Sequence, residues 1–82
     1  MRLPRDLAGA ELAQRLRRYG YVVTRQSGSH MRLTSLAKGR EHHITVPRHG
    51  SLKVGTLNAI LTDVAVYLEV DRRELARVLF GS

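Results

Sequence analysis

The chain has 82 residues, of which 14 are Lys or Arg and 7 are Asp or Glu, so its formal net charge at neutral pH is +7. A chain of this length closes one modest core, which excludes a two-domain enzyme and predicts a single domain over residues 1–82. It has no Cys, which excludes disulfides, thiolate zinc sites and a thiol nucleophile. No apolar run approaches the roughly 20 residues of a membrane span, and no signal peptide is evident, so we predict a cytoplasmic protein without a membrane partner.

The positive charge is concentrated in the first two-thirds of the chain. Residues 1–54 contain 11 Lys or Arg and 3 acidic residues, whereas residues 55–82 have a net charge of −1. Most of the basic residues are Arg, whose planar guanidinium suits bidentate contacts with phosphate. Nucleic acid is therefore the first candidate partner. A solvated basic face, or docking to an acidic protein, would give the same charge pattern.

The first segment has the spacing of an amphipathic helix, with Asp6 as its predicted N-cap and Gly20 as its natural end. Residues 21–26 are β-branched and aromatic, which predicts a first strand that ends at a Ser-Gly-Ser turn. Tyr19 and Tyr21 are expected to join the core rather than to form a stacking platform for bases. The apolar residues at helical spacing are Leu7, Ala8, Leu12, Leu16 and Tyr19.

Two further strands are predicted over residues 30–35 and 42–47, where apolar and polar side chains alternate. Pro47 ends the second of them. The expected inward residues are Met31, Leu33, Ser35, Ile44 and Val46, and the expected outward residues are His30, Arg32, Thr34, His43 and Thr45.

The clearest amphipathic pattern runs from Leu57 to Leu68 and predicts a helix capped by Thr56. Asp71, with Glu74 three residues later, predicts a capping box and a short last helix. The predicted fold is therefore α+β, with the order α-β-β-β-α, a short C-terminal helix and a three-stranded antiparallel sheet. Helices cover one face of this sheet, and the polar face stays open.

The Gly28-Ser29-His30 step is the sharpest candidate for chemistry, because a flexible turn presents an imidazole at the start of a strand on the basic side of the sheet. An exposed His can transfer protons at neutral pH, and nearby cations such as Arg32 can bind a phosphate beside it. The alternative is an idle His beside a hairpin.

Other candidate sites are weaker. His42, His43 and His49 could be imagined with His30 as a zinc site, but neighbours on a strand point to opposite faces and no Cys completes a known spacing, so we predict no metal. No serine triad signature occurs. Lys53 and the following helix start could hold a phosphate or could be simple capping chemistry.

Three blocks of residues together resemble the HicA family of bacterial toxins, which are small mRNA interferases with a double-stranded-RNA-binding-domain-like fold. The resemblance covers about residues 7–66. It departs from the family pattern in a short loop between His49 and Gly55, and in Asn58, where a basic residue commonly stands. The three blocks are Arg25-Gln26-Ser27-Gly28-Ser29-His30, His43-Ile44-Thr45-Val46-Pro47-Arg48-His49, and Lys53-Val54-Gly55-Thr56-Leu57 followed by Ile60-Leu61.

This resemblance implies a metal-independent endoribonuclease of mRNA without a small-molecule cofactor, with His30 as the catalytic residue and a HicB-type antitoxin as protein partner. It is compatible with attack of a ribose 2′-OH on the adjacent phosphate, which needs a base and positive charge. Two alternatives remain: a non-catalytic RNA-binding module of the same fold and a protein-docking domain. The residues assigned to the substrate are Gly28, Ser29, Arg32, Arg48 and Lys53, and the candidates for a second proton-transfer group are His43 and His49.

Overall fold

The computed structural model describes residues 3–81. The sheet has the order β1-β2-β3, and both neighbouring pairs are antiparallel. The predicted α+β fold, similar to a double-stranded-RNA-binding domain with an added C-terminal helix, is confirmed. No helix within residues 3–81 is long and apolar enough to cross a membrane. The elements are α1 (Gly9–Leu16), a 3₁₀ turn (Arg17–Tyr19), β1 (Val22–Ser27), β2 (His30–Ser35), β3 (His42–Pro47), α2 (Val54–Leu68) and α3 (Arg72–Phe80).

One face of the sheet forms the core with the helices, and the inward residues are those that the alternating pattern predicts. The predicted inward residue Ser35 is almost fully buried. Its hydroxyl donates to the Tyr19 carbonyl oxygen at 2.8 Å and accepts from the Ala37 N–H at 3.1 Å, which satisfies the buried oxygen. Tyr21 is fully buried and Tyr19 packs at the edge of the core. The sheet residues Met31, Leu33, Ile44 and Val46 meet the helix residues Leu12, Leu16, Leu57, Leu61 and Val64.

The predicted cap of α1 at Asp6 is wrong, because the N-cap is Ala8 and the helix begins at Gly9, two residues later than predicted. Leu7 and Ala8 are held in an extended conformation: the Leu52 N–H donates to the Leu7 carbonyl at 2.8 Å, and Ala8 bridges Ser51. A backbone paired in this way cannot turn into a helix before Gly9. The Glu11 carboxylate instead accepts the Ala8 N–H at 3.4 Å.

The predicted cap of α2 is also wrong, whereas that of α3 is confirmed. Helix α2 begins at Val54 after an extended Lys53, so Thr56 lies inside its first turn. At α3, the Asp71 carboxylate accepts the N–H groups of Arg73 and Glu74 at 2.8 and 3.2 Å. Glu74 does not complete a capping box, because its carboxylate binds the Arg77 guanidinium instead.

Helix α3 packs on the body of the protein, with Leu75, Ala76 and Leu79 buried. Two arginines near the end of α1 bind carbonyl oxygens in the last turn of α3. A helix C-terminus leaves such oxygens without partners inside the helix. Arg15 donates to the Leu79 carbonyl at 2.7 Å, and Arg18 donates to the Val78 carbonyl at 3.3 Å. Part of the basic charge at this end of the first helix therefore also holds α3.

The closest approach between a helix and the sheet is at Gly9, the first residue of α1. A Cβ atom at this position would overlap the carbonyl oxygen of Pro47, and Val46 lies beside it. Only glycine lets α1 start this close to the end of β3, so this residue sets the distance between the two elements.

We expect Gly9→Ala to destabilise the protein by about 2 kcal/mol or more, because the backbones of α1 and β3 must move apart. Gly55→Ala is the matched control: Gly55 lies in the first turn of α2 with open space around it, and Ala favours a helix there by up to about 1 kcal/mol. Urea unfolding measures both free energies. Equal stability of Gly9→Ala and wild type would contradict the close approach.

Candidate nucleic-acid interface

His30 lies at the first position of β2, where the ends of all three strands meet. It pairs across the sheet with Ser27 on one side and Pro47 on the other, and it is exposed. Gly28, with a φ of 57°, turns the chain tightly enough to place His30 there. Within residues 3–81, the imidazole has no hydrogen-bond partner. It is therefore free to meet a ligand.

A second loop is tied to this turn. The Arg48 N–H donates to the Ser29 carbonyl oxygen at 2.6 Å, which links the residue after β3 to the residue before β2. The structure thus brings Gly28, Ser29, His30 and Arg48 together at one end of the sheet. His49 follows in the same exposed loop, so it also lies at the His30 end.

The open face of the sheet carries two arginines in direct opposition. Arg32 of β2 pairs with Arg25 of β1 and, on its other side, with Thr45 of β3. Like charges placed opposite each other destabilise a sheet unless an anion lies between them. Arg25 was not predicted as a site residue from the sequence. An irregularity in the strand pairing at Thr24 brings Arg25 onto the same face as Arg32. The alternation of side chains along a strand does not reveal such an irregularity.

None of the cations around His30 is neutralised by an acidic side chain. The ion pairs among residues 3–81 involve Lys38, His42, His43 and Arg77, and none involves Arg25, Arg32, Arg48 or Lys53. All four of these free cations are exposed. The face therefore keeps a positive field that attracts polyanions.

The sequence predicts that Thr34 faces solvent on the open face of the sheet, and this prediction is wrong. This side chain is only 8% exposed, because its hydroxyl bonds with the Thr24 hydroxyl and with Nδ1 of His43, each at 2.8 Å. His43 lies four residues along the strand from the position opposite His30, a separation of about 13 Å. His43 and His30 are therefore not brought together.

The start of α2 lies at the same end of the sheet as His30. Ser51, just before α2, bridges Ala8, and the adjacent Gly9 lies against the Pro47 carbonyl. Further along α2, Asp63 contacts His42, the first residue of β3. Lys53 and Gly55 are exposed there. Asn58 accepts a hydrogen bond from the Arg72 guanidinium, so α3 places a cation next to the first turns of α2.

The opposite end of the sheet is closed by a polar cluster around His42. Its Nδ1 bonds with the Tyr21 hydroxyl at 2.6 Å and its Nε2 with the Asp63 carboxylate at 3.0 Å. The His42 ring stacks on Tyr67 at 4.5 Å between centroids, and its side chain is only 16% exposed. Tyr67 donates to the Arg40 carbonyl at 2.6 Å. This histidine has no free nitrogen for a ligand, so it ties the start of β3 to β1 and α2.

The fold and the face together define a small basic α+β protein with a double-stranded-RNA-binding-domain-like arrangement. The family described as "HicA toxin of bacterial toxin-antitoxin" matches residues 9–66, which is more than half of the chain. The chain belongs to the HicA toxin family, and so it is a toxin of a toxin–antitoxin system with an antitoxin partner. No curated protein and no solved structure matches the chain. Helix α3 lies outside the matched residues.

The His42 cluster predicts a loss of stability at alkaline pH. Burial raises the pKa of Tyr21 above its ordinary value of 10.0, and Tyr67 and Asp63 raise it further. The unfolded chain releases the Tyr21 proton at a lower pH than the folded chain does. The protonated hydroxyl therefore makes its full contribution to the free energy of unfolding below pH 10, and this contribution is lost as the pH rises above 10. We expect a decline of up to about 1.4 kcal/mol per pH unit from this group.

Urea unfolding from about pH 8 to about pH 11 measures this decline. Tyr21→Phe removes the ionisable group and should flatten the curve above pH 10, whereas Tyr19→Phe, outside the cluster, is the matched control. Identical alkaline slopes in wild type and Tyr21→Phe would show that Tyr21 does not couple protonation to folding.

Proposed function

We propose that this protein is a metal-independent endoribonuclease of the mRNA interferase type, with His30 as its catalytic residue. The observation that carries this proposal is an exposed imidazole without a hydrogen-bond partner among the described residues, at the end of a basic face whose cations are not neutralised. A proton acceptor beside free guanidinium groups suits RNA, which carries both a phosphate and a 2′-OH.

In the proposed reaction His30 takes the proton of a ribose 2′-OH. The 2′-oxygen attacks the adjacent phosphorus, and the bond from phosphorus to the 5′-oxygen breaks. The 5′-oxygen then takes a proton from a second group. The products are a 2′,3′-cyclic phosphate and a 5′-OH end. Arg32, Arg48 and Lys53 balance the negative charge that develops on the phosphate.

His49 is the better candidate for the second proton-transfer group. It lies at the His30 end of the sheet, whereas His43 is displaced along the strand and its Nδ1 is already bonded to Thr34. Gly28 and Ser29 shape the turn and offer backbone groups to the substrate. We further propose that the antitoxin partner is of the HicB type and that the natural substrate is mRNA.

A non-catalytic RNA-binding module is the second candidate. The opposed pair of Arg25 and Arg32 is sufficient for it, because two adjacent cations bind phosphates without any reaction. The two functions differ in turnover: a binding module gives a salt-dependent binding curve and no cleaved product.

We expect His30→Ala to lower cleavage by about 10²–10⁴-fold, the usual contribution of a general base, without changing stability or RNA affinity. The side chain is exposed and makes no hydrogen bond with the described residues, so its removal leaves the fold unchanged. The measurement is cleavage of a labelled RNA in EDTA, with product ends identified by mass.

An all-DNA copy of the substrate is the control, since it lacks the attacking 2′-OH and should stay intact. Products with 5′-phosphate ends, or a requirement for magnesium, would overturn this mechanism. Binding without cleavage by the wild type would leave the binding module as the function.

Arg25→Ala and Arg32→Ala should each weaken RNA binding and lower the slope of log affinity against log salt by about 0.7 to 1, because each variant loses one phosphate contact. Arg73→Ala, on α3, removes the same charge and is the matched control. Fluorescence anisotropy at several salt concentrations gives the slopes. A slope change as large in Arg73→Ala would mean that net charge, rather than this face, binds RNA.

A further inference from the structure

A groove beside the candidate interface runs along the free edge of the sheet. It has a volume of about 490 Å³ and lies between α1 and β1. Strand β1 has a neighbour on one side only, and all six of its residues are exposed. Such an edge presents unpaired N–H and C=O groups to solvent, which another strand can pair with.

The middle of this groove is lined mainly by apolar side chains. Val22 and Val23 are 49% and 47% exposed, which is unusual for adjacent residues of one strand. Met31 forms its floor, and the small side chains of Ala10 and Ala13 on α1 leave it open. The one aromatic residue in the lining is the buried Tyr21, so the groove offers no exposed ring on which a base could stack. These features suit a protein segment and not RNA.

An arginine stands at each end of the groove. Arg17 follows α1 next to the start of β1, since the Tyr21 N–H donates to the Leu16 carbonyl at 3.3 Å. Arg48 lies at the other end, where its N–H binds Ser29. Neither guanidinium takes part in an ion pair within residues 3–81. The distance from Val22 to Gln26 is about 13 Å, so an extended segment would meet both arginines with carboxylates about four residues apart.

We propose that the antitoxin binds here by adding an extended segment to the edge of β1, with apolar side chains in the groove and acidic side chains on Arg17 and Arg48. The proposal rests on the toxin–antitoxin function and adds where and how the partner docks. Main-chain hydrogen bonds to the edge would supply affinity, and the groove and the two arginines would supply specificity. A second copy of this chain is a poor occupant, because it would bring the same excess of positive charge to this edge.

This mode of binding also reaches the candidate interface. Arg48 lies in both, so a carboxylate that binds it would remove one cation from the RNA-binding surface. A bound antitoxin segment would therefore lower RNA binding by occupying Arg48.

The test is the affinity of a purified antitoxin of the HicB type for three variants that each add one negative charge. Val23→Glu and Ala10→Glu place it in the groove and should weaken binding about tenfold or more. Val66→Glu is the matched control, since this valine is 71% exposed on α2, and it should bind like wild type. Ala10 is exposed on the first turn of α1, where Glu is well tolerated, so this variant folds even if Val23→Glu does not.

Hydrogen exchange of the complex is the second measurement, and protection of the β1 amides is expected. Wild-type affinity in both groove variants, protection confined to the open face of the sheet, or no binding of the antitoxin to the wild type would overturn the proposal. RNA cleavage by the free variants is measured in parallel. If the free wild type cleaves no RNA but the groove variants lose the antitoxin, the proposed enzyme activity fails and the docking site stands.

Discussion

The contact between the start of α1 and the end of β3 is the constraint on which the rest of the structure depends. Gly9 lets the helix reach the Pro47 carbonyl, and the bridge from Leu7 and Ala8 to Ser51 and Leu52 fixes the loop that follows. This loop carries Arg48, which is bonded to the turn before His30. The position of the candidate catalytic residue relative to the basic loop thus follows from one place where a helix and a strand pass without a side chain between them.

The two ends of the sheet have different roles. At one end, His42 uses both ring nitrogens and one ring face within the fold, bonded to Tyr21 and Asp63 and stacked on Tyr67. At the other end, His30 has neither a hydrogen-bond partner in the described part of the chain nor a covering residue. A bonded histidine stabilises the fold, and an unbonded one is available to a substrate. The same residue type therefore serves structure and proposed chemistry in one small protein.

The arginines are divided in the same way. Arg15 and Arg18 bind the end of α3, Arg72 binds Asn58, and Arg77 pairs with Glu74. Arg25, Arg32, Arg48 and Arg17 have no ion pair within residues 3–81 and line the open face or the edge groove. The net charge of +7 therefore does not show how the arginines are distributed: some are bonded within the fold, and the others are concentrated on the open face and the edge groove. It is this second group that an RNA or an acidic partner would meet.

The sequence by itself determined the fold class, the element order and the inward residues of the sheet, because side-chain periodicity follows directly from the geometry of helices and strands. It also placed Gly28-Ser29-His30 in a turn at the start of a strand. Tertiary structure decided where α1 begins, since the pairing of Leu7 and Ala8 with a distant loop overrides the local cap at Asp6. It decided that Arg25 faces Arg32, because the irregularity at Thr24 depends on pairing between strands, and that α3 rests on arginines some sixty residues away. Contacts between residues far apart in the chain leave no local pattern, so only the folded structure shows them.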